Sequence, residues 1–254
     1  MSPPISPLDD EGASRIRQRL IEDVGGYLRN IVRLTGETCG VCACPVKQSY
    51  TTCWRCKTDQ QQFGDQLADL VVPLCYAVNG QQSGHLMRMY KDQLRPDLRG
   101  RRLLTMLLLA ALHFHQQCLV NRIGHEFDRF ATVPSLRSRP GRHPLHVVAC
   151  PTLRCPEIEL TAKLGLTADS RTINPDHFTL TDPAAARGQH VLLIEDTWVS
   201  GSHSQSAATS LKQAGAATVT IVALARWINP TEEPSTGFVR HALLWDYDPQ
   251  RCPI

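Results

Sequence analysis

With 254 residues, the chain has room for one sizeable core plus a small appendage, or for two modest domains. Twenty-seven basic residues against 24 acidic ones leave a formal charge of only +3, and the cations are scattered. This balance argues against a polybasic nucleic-acid or membrane binder, although a local basic patch stays open.

Residues 1–12 hold three prolines and the run Asp9-Asp10-Glu11, without the basic-then-apolar order of a secretory leader. A flexible tail and a cytoplasmic location are expected. Ile16, Leu20, Val24, Leu28 and Ile31 recur at helical spacing, which predicts an amphipathic helix over Ser14 to Leu34, weakened at Gly25-Gly26.

Five of the ten cysteines then crowd into Cys39 to Cys56. Cys39-x-x-Cys42 and Cys53-x-x-Cys56 are two knuckles ten residues apart, flanking Pro45 and the strand-like Ser49 to Thr52. One tight turn supplies two thiolates, and four thiolates at about 2.3 Å from one ion make a closed tetrahedral zinc site. Cys39, Cys42, Cys53 and Cys56 are therefore the expected ligands of a structural Zn²⁺ in a zinc ribbon, with free thiols or a redox pair as the alternative. Cys44 is either a spare thiol or a substitute for Cys42.

Phe63, Leu67 and Leu70 share one face of a short connecting helix over Asp59 to Leu70, and Val71 to Val78 reads as a strand. Ser83 to Leu94 has helical spacing, with Arg88 and Lys91 expected on a solvated face. Leu98 to Val120 reads as a helix buried in the main domain, its most apolar part, Leu103 to Leu112, falling short of the roughly 20 residues a membrane span needs. Phe130 to Val133 is a strand that leads into Pro134-Ser135-Leu136-Arg137-Ser138-Arg139-Pro140-Gly141-Arg142, a loop with three arginines. An arginine loop after a strand suits a pyrophosphate, because guanidinium groups bond phosphate oxygens in pairs; a basic surface loop fits equally. Leu145 to Leu166 is broken by Cys150-Pro151 and Cys155-Pro156 and has no clear pattern, whereas Asn174 to Leu180 suggests a short strand.

The most informative stretch is Val191 to Ser204. Four apolar residues fit a strand covered on both faces, after which Glu195 and Asp196 are expected to emerge together at its end. A small-residue loop, Thr197 to His203, leads into a helix over Ser204 to Ala214 and a strand over Thr218 to Leu224. That is a β-α-β unit, whose carboxyl edge is where open α/β sheets collect ligands. Two carboxylates accept from a vicinal diol, while Ser200, Gly201 and Ser202 offer hydroxyls and close backbone N–H groups to a phosphate. Together they suit a phosphorylated ribose. Beyond Pro230, Ala242 to Trp245 suggests an edge strand.

Val191 to Ser204 resembles the 5-phosphoribosyl 1-diphosphate (PRPP) signature of type I phosphoribosyltransferases, and the order of zinc knuckles first and this stretch second resembles the ComF family, members of which are linked to DNA uptake in competent bacteria. The resemblance implies a mostly parallel α/β sheet flanked by helices over residues 59–254, preceded by a helix and zinc-ribbon module over 13–58. It implies that Glu195 and Asp196 hold the ribose hydroxyls and stabilise an oxocarbenium-like transition state, acting as catalytic residues. Thr197, Val199, Ser200, Gly201, Ser202 and His203 would surround the 5-phosphate, and Pro134, Ser135 and Arg137 the pyrophosphate. Mg²⁺ would arrive with PRPP.

Two positions depart from the family pattern. His203 replaces a Thr or Ser, and Val199 stands where purine-salvage relatives carry an aspartate. The expected activity is thus transfer of a phosphoribosyl group to an unnamed acceptor with release of pyrophosphate. The alternative is a non-catalytic PRPP sensor or competence-related adaptor, with Trp54, Arg55 and Lys57 as a weak nucleic-acid surface.

Overall fold

The computed structural model describes residues 4–92, 97–136, 143–163 and 171–254. Residues 4–8 are not a loose tail: Ile5 is buried and bridges Leu153, because an apolar side chain within reach of the core has more to gain there than in water. Helix α1 (Asp10–Val24) starts where Asp9 accepts from the Gly12 N–H at 2.7 Å. It stops at Gly25, earlier than its periodicity suggests, since the following Tyr27 to Leu28 turn feeds β1 (Arg29–Asn30).

The cysteine segment follows, and α2 (Trp54–Phe63) begins within its second knuckle, before the expected Asp59. The predicted strand at Ser49 to Thr52 is a run of bends. Next come β2 (Leu70–Pro73), β3 (Cys75–Val78), α3 (Gln82–Met89) and α4 (Leu98–Ile123). By length and composition α4 reaches what a bilayer crossing needs, but half of its most apolar window is buried within the protein. Leu104, Leu107, Leu108 and Leu112 lie in a core with Leu192, Ile194, Val222 and Leu224 of the sheet. Then follow β4 (Arg129–Thr132), α5 (Pro144–Ala149), and β5 (Leu160–Ala162) paired with β6 (Phe178–Leu180) in a separate antiparallel ribbon. The chain ends with β7 (His190–Trp198), α6 (Ser202–Gln213), β8 (Thr218–Ile228) and α7 (Ser235–His241). Ala242 to Trp245, expected as an edge strand, forms none; Trp245 is 75% exposed and leaves an alternating pattern nothing to pair with.

The main sheet has the order β1-β3-β8-β7-β4, with β2 also paired to β8. All its pairs are parallel except β1 with β3. The fold is therefore α/β, with a mostly parallel sheet between helices. Alternation along β7 accounts for its unbroken apolar run: Val191 and Leu193 pack with Ala207, Ala208 and Leu211 of α6, whereas Leu192 and Ile194 face α4 and α5.

Candidate functional site

The same alternation governs the acidic pair. β7 does not end at Ile194 but continues to Trp198, paired with β8 throughout, so Glu195 and Asp196 lie inside the strand. Adjacent strand residues point to opposite faces, and both carboxylates are buried, at 8% and 6% exposure. The expectation that they emerge side by side at a strand end is thus corrected. Glu195 turns toward α6: its Oε2 accepts from Ser204 Oγ at 2.7 Å and its Oε1 from the Asp196 N–H at 2.8 Å. Burial, reinforced by the Asp196 charge, pushes the Glu195 carboxyl up to about 7.

Asp196 turns the other way. Its Oδ2 accepts from Tyr90 Oη at 2.9 Å and forms an ion pair with Lys91 Nζ at 2.7 Å. Burial alone raises such a group, but the Lys91 ammonium, helped by the Lys91 and Tyr90 hydrogen bonds, holds Asp196 below its ordinary value. One strand thereby carries a carboxyl poised near neutrality and a carboxylate held ionised.

Both line a cavity of about 840 Å³. Its floor is the turn between β7 and α6. Gly201 sits at φ 81°, in the left-handed region, and a Cβ there would collide with the Trp198 ring. Ser200 Oγ and Ser202 Oγ lie 2.9 Å apart, Ser200 Oγ accepts from the Ser202 N–H at 3.4 Å, and the N-cap residue Gly201 has no side chain of its own to cap α6. The first N–H groups of that helix face an anion-sized space lined by Val199, Ser200, Gly201, Ser202 and His203. Thr197 Oγ1, on the same wall, is buried without a hydrogen-bond partner among the described residues. Such a hydroxyl is costly unless something in the cavity bonds to it.

Pro134 and Ser135, expected near a pyrophosphate, line the cavity too. Arg137, Arg139 and Arg142 lie outside the described residues. Several lining residues were not foreseen. Lys91 and Arg88, expected on a solvated face, both border the cavity, and the Arg88 guanidinium lies 4.7 Å from the Trp227 ring centroid. Arg171 and His143 also border it. A signal for Lys91 did exist: Met87 and Tyr90, immediately before it, are apolar at core spacing, so the following cation had to sit at the edge of a buried face.

Cys44 and Pro45 close the cavity on the cysteine side. The four sulfurs that come within 4.8 Å of one another are those of Cys39, Cys42, Cys44 and Cys53. Cys44 therefore joins the four cysteines expected as ligands, and Cys56 stays among them, its thiol hydrogen-bonded to those of Cys39, Cys42 and Cys53. The turn folds Cys44 back: the Cys39 N–H donates to Cys44 O at 2.8 Å, the Ala43 N–H to Cys39 O at 2.9 Å, and Ala43 takes φ 56°. Cys53 is the N-cap of α2, accepting from the Cys56 N–H at 3.4 Å, which turns the start of the helix toward the cluster. In a tetrahedral thiolate site the sulfurs are about 3.8 Å apart, given a metal–sulfur bond near 2.3 Å. Cys42 and Cys53 are 3.9 Å apart, and a four-sulfur donor set suits zinc.

Arg226 joins the two centres. Its Nη1 donates to the carbonyls of Trp198 (2.7 Å), Val199 (2.9 Å) and Trp227 (2.8 Å), which brace the anion-facing turn. Burial opposes the Arg226 cation, but the charges of Cys42 and Cys44, and a hydrogen bond to Cys44, hold it above its ordinary value.

No family model matches the chain, and no curated protein matches it. Among solved structures it is similar to a purine phosphoribosyltransferase from Pyrococcus horikoshii Ot3, at 14% identity, covering 49% of this chain and 87% of that one, with a TM-score of 0.28. It is also similar to a hypoxanthine phosphoribosyltransferase from Staphylococcus aureus, at 10% identity, covering 48% and 73%, with a TM-score of 0.29. Likeness at this level carries no functional weight of its own, so the chemistry of the cavity has to carry the reading.

Proposed function

We propose that the cavity binds PRPP with Mg²⁺ in the manner of a type I phosphoribosyltransferase, in a cytoplasmic protein whose cysteine cluster holds a structural Zn²⁺. The observation that carries this is the meeting, in one cavity, of an ionised buried Asp196 with the Gly201 turn and its two serine hydroxyls at the start of α6. The turn suits a phosphate: Ser200 and Ser202 hydroxyls and backbone N–H groups donate, and the Lys91 and Arg88 cations border the same space. Asp196 suits the ribose hydroxyls and a cationic anomeric carbon, an electrostatic role without nucleophilic attack. Thr197 Oγ1, which has no partner among the described residues, gains one, and Pro134 and Ser135 border the room left for the diphosphate. Mg²⁺, a hard cation, is supplied with oxygen ligands by the diphosphate. Glu195, on the other face of β7, holds the start of α6 through Ser204 and acts on the turn more than on the sugar.

Titration calorimetry with PRPP and Mg²⁺ tests the reading. Binding weakened at least about tenfold is expected for both Ser202→Ala and Asp196→Asn, from one lost charge-assisted bond. Unchanged affinity in both, or no binding to the unaltered protein, defeats it.

Val199 favours a second reading. It is 59% exposed at the rim, and no acid or base stands there to act on a nucleobase. A PRPP sensor or adaptor needs none. Pyrophosphate release measured over bases, amines and ammonia separates the two: turnover with any acceptor supports the transferase, and binding without turnover supports the sensor.

A further inference from the structure

Away from the cavity, three reactive side chains meet at the end of α5. Cys150 is its C-cap and is exposed; His146 lies one turn earlier on the same side of the helix. His146 Nε2 is 3.4 Å from Cys150 Sγ, and His146 Nδ1 is 3.0 Å from Glu157 Oε1. Glu157 reaches the helix from the segment that bridges Phe130 of β4, so a second element fixes the carboxylate. A ligating atom of each residue lies within 4.8 Å of the other two.

The order of atoms matters. Glu157 accepts from Nδ1–H, which leaves Nε2 as the acceptor that faces the thiol. This is a nucleophile, a base within hydrogen-bond reach, and a third group that orients the base. His146 and Glu157 are mostly shielded, at 13% and 21% side-chain exposure, while the sulfur stays open to solvent. The end of a helix disfavours a thiolate, but a helix of six residues has only a weak dipole, and the imidazole acts at contact distance.

We propose that Cys150 is an activated thiol, a second reactive site that takes small soft electrophiles such as alkyl halides and hydroperoxides. With an alkyl halide, the Sγ proton moves to His146 Nε2, the sulfur pair attacks carbon, and the halide leaves with the bonding electrons; the imidazolium then returns its proton to water. With a hydroperoxide, the sulfur attacks one oxygen and the O–O bond breaks. The thiol is oxidised by two electrons to a sulfenic acid, and the departing oxygen takes the proton from His146.

Cys252, also exposed, is a stringent comparison, because its sulfur too lies within 4.8 Å of a histidine, His115, and of Cys118. Full-length protein is treated with limiting iodoacetamide at neutral pH, and the modified cysteines are mapped by mass spectrometry of peptides. Cys150 is expected to react about tenfold faster than Cys252, and His146→Gln or Glu157→Gln to slow Cys150 severalfold while leaving Cys252 alone. Dimedone trapping after brief hydroperoxide exposure is expected to label Cys150 first. A Cys150 rate no greater than that of Cys252 overturns the proposal without recourse to any variant. An unchanged Cys150 rate in folded Glu157→Gln, checked by circular dichroism, overturns it as well.

Discussion

Replacing Glu195 with glutamine tests the claim that one of the two buried carboxyls sits near neutrality. Its folded value is raised, to about 7 from 4.5, so the folded state holds its proton more tightly than the unfolded chain does. The stability that this proton confers is complete below the unfolded value and is lost as pH rises through the folded one. At about 1.4 kcal/mol per pH unit, the loss between about pH 5 and about pH 8.5 comes to roughly 2–3 kcal/mol and levels off beyond about pH 8. Glutamine cannot ionise, and the Ser204 hydroxyl can turn to accept from the new amide, so most of the packing survives. Urea unfolding of both proteins across this range, at fixed zinc, is the assay. Glu195→Gln should gain on the unaltered protein by roughly 2–3 kcal/mol toward high pH. A difference that stays within about 0.5 kcal/mol at every pH would refute the placement of Glu195 as a desolvated, proton-holding group.

Lys91→Met leaves Asp196 buried with the neutral Tyr90 hydroxyl still donating to it, and should cost about 2 kcal/mol, below the figure for a fully buried pair because Lys91 is 26% exposed. Since a depressed carboxyl adds stability that disappears as pH falls through its folded value, the acid limb of the stability profile should also flatten in this variant, as denaturation from about pH 5 downward will show. Gly201→Ala combines a left-handed backbone with a collision against the Trp198 ring and should cost about 2–4 kcal/mol, read from thermal melts and the near-ultraviolet signal of that tryptophan. Purified protein should carry about one equivalent of zinc, falling below about half when Cys39 and Cys42 are both changed to serine; full retention in that variant would refute a metal held by the cluster.

The β7-α6-β8 unit was legible because a strand covered on both faces needs an apolar run, and Val191 to Ile194 and Thr218 to Leu224 supply two of them around a helix. The length of those strands was not. A carboxylate ordinarily marks an exit from the core, but Tyr90, Lys91 and Ser204 satisfy both carboxyls inside it, and two of these partners lie about a hundred residues away in sequence. Arg226 shows the same limit from the other side. An arginine after Leu224 looks like a strand end, yet β8 runs on to Ile228 because three carbonyls and a thiol cluster receive the cation. Crowding of cysteines was plain in the sequence, whereas the entry of Cys44 into the cluster depends on a left-handed turn at Ala43 that no spacing rule contains.

The cysteine segment keeps no interior of its own. Cys39, Cys42, Val46 and Cys56 belong to the same apolar cluster as Val71, Val219 and Ile221 of the sheet, and the Tyr76 hydroxyl of β3 donates to Ala43 O at 2.8 Å. Cutting the chain after residue 58 would therefore not yield a smaller working domain; it would strip a wall from the cavity and strand Arg226 beneath the turn it braces. Metal loss and melting of the phosphate-sized turn become one cooperative event, visible as a single calorimetric transition. With the cluster read as the proposed Zn²⁺ site, zinc supply sets how many molecules possess a cavity and leaves the chemistry inside each intact one unchanged.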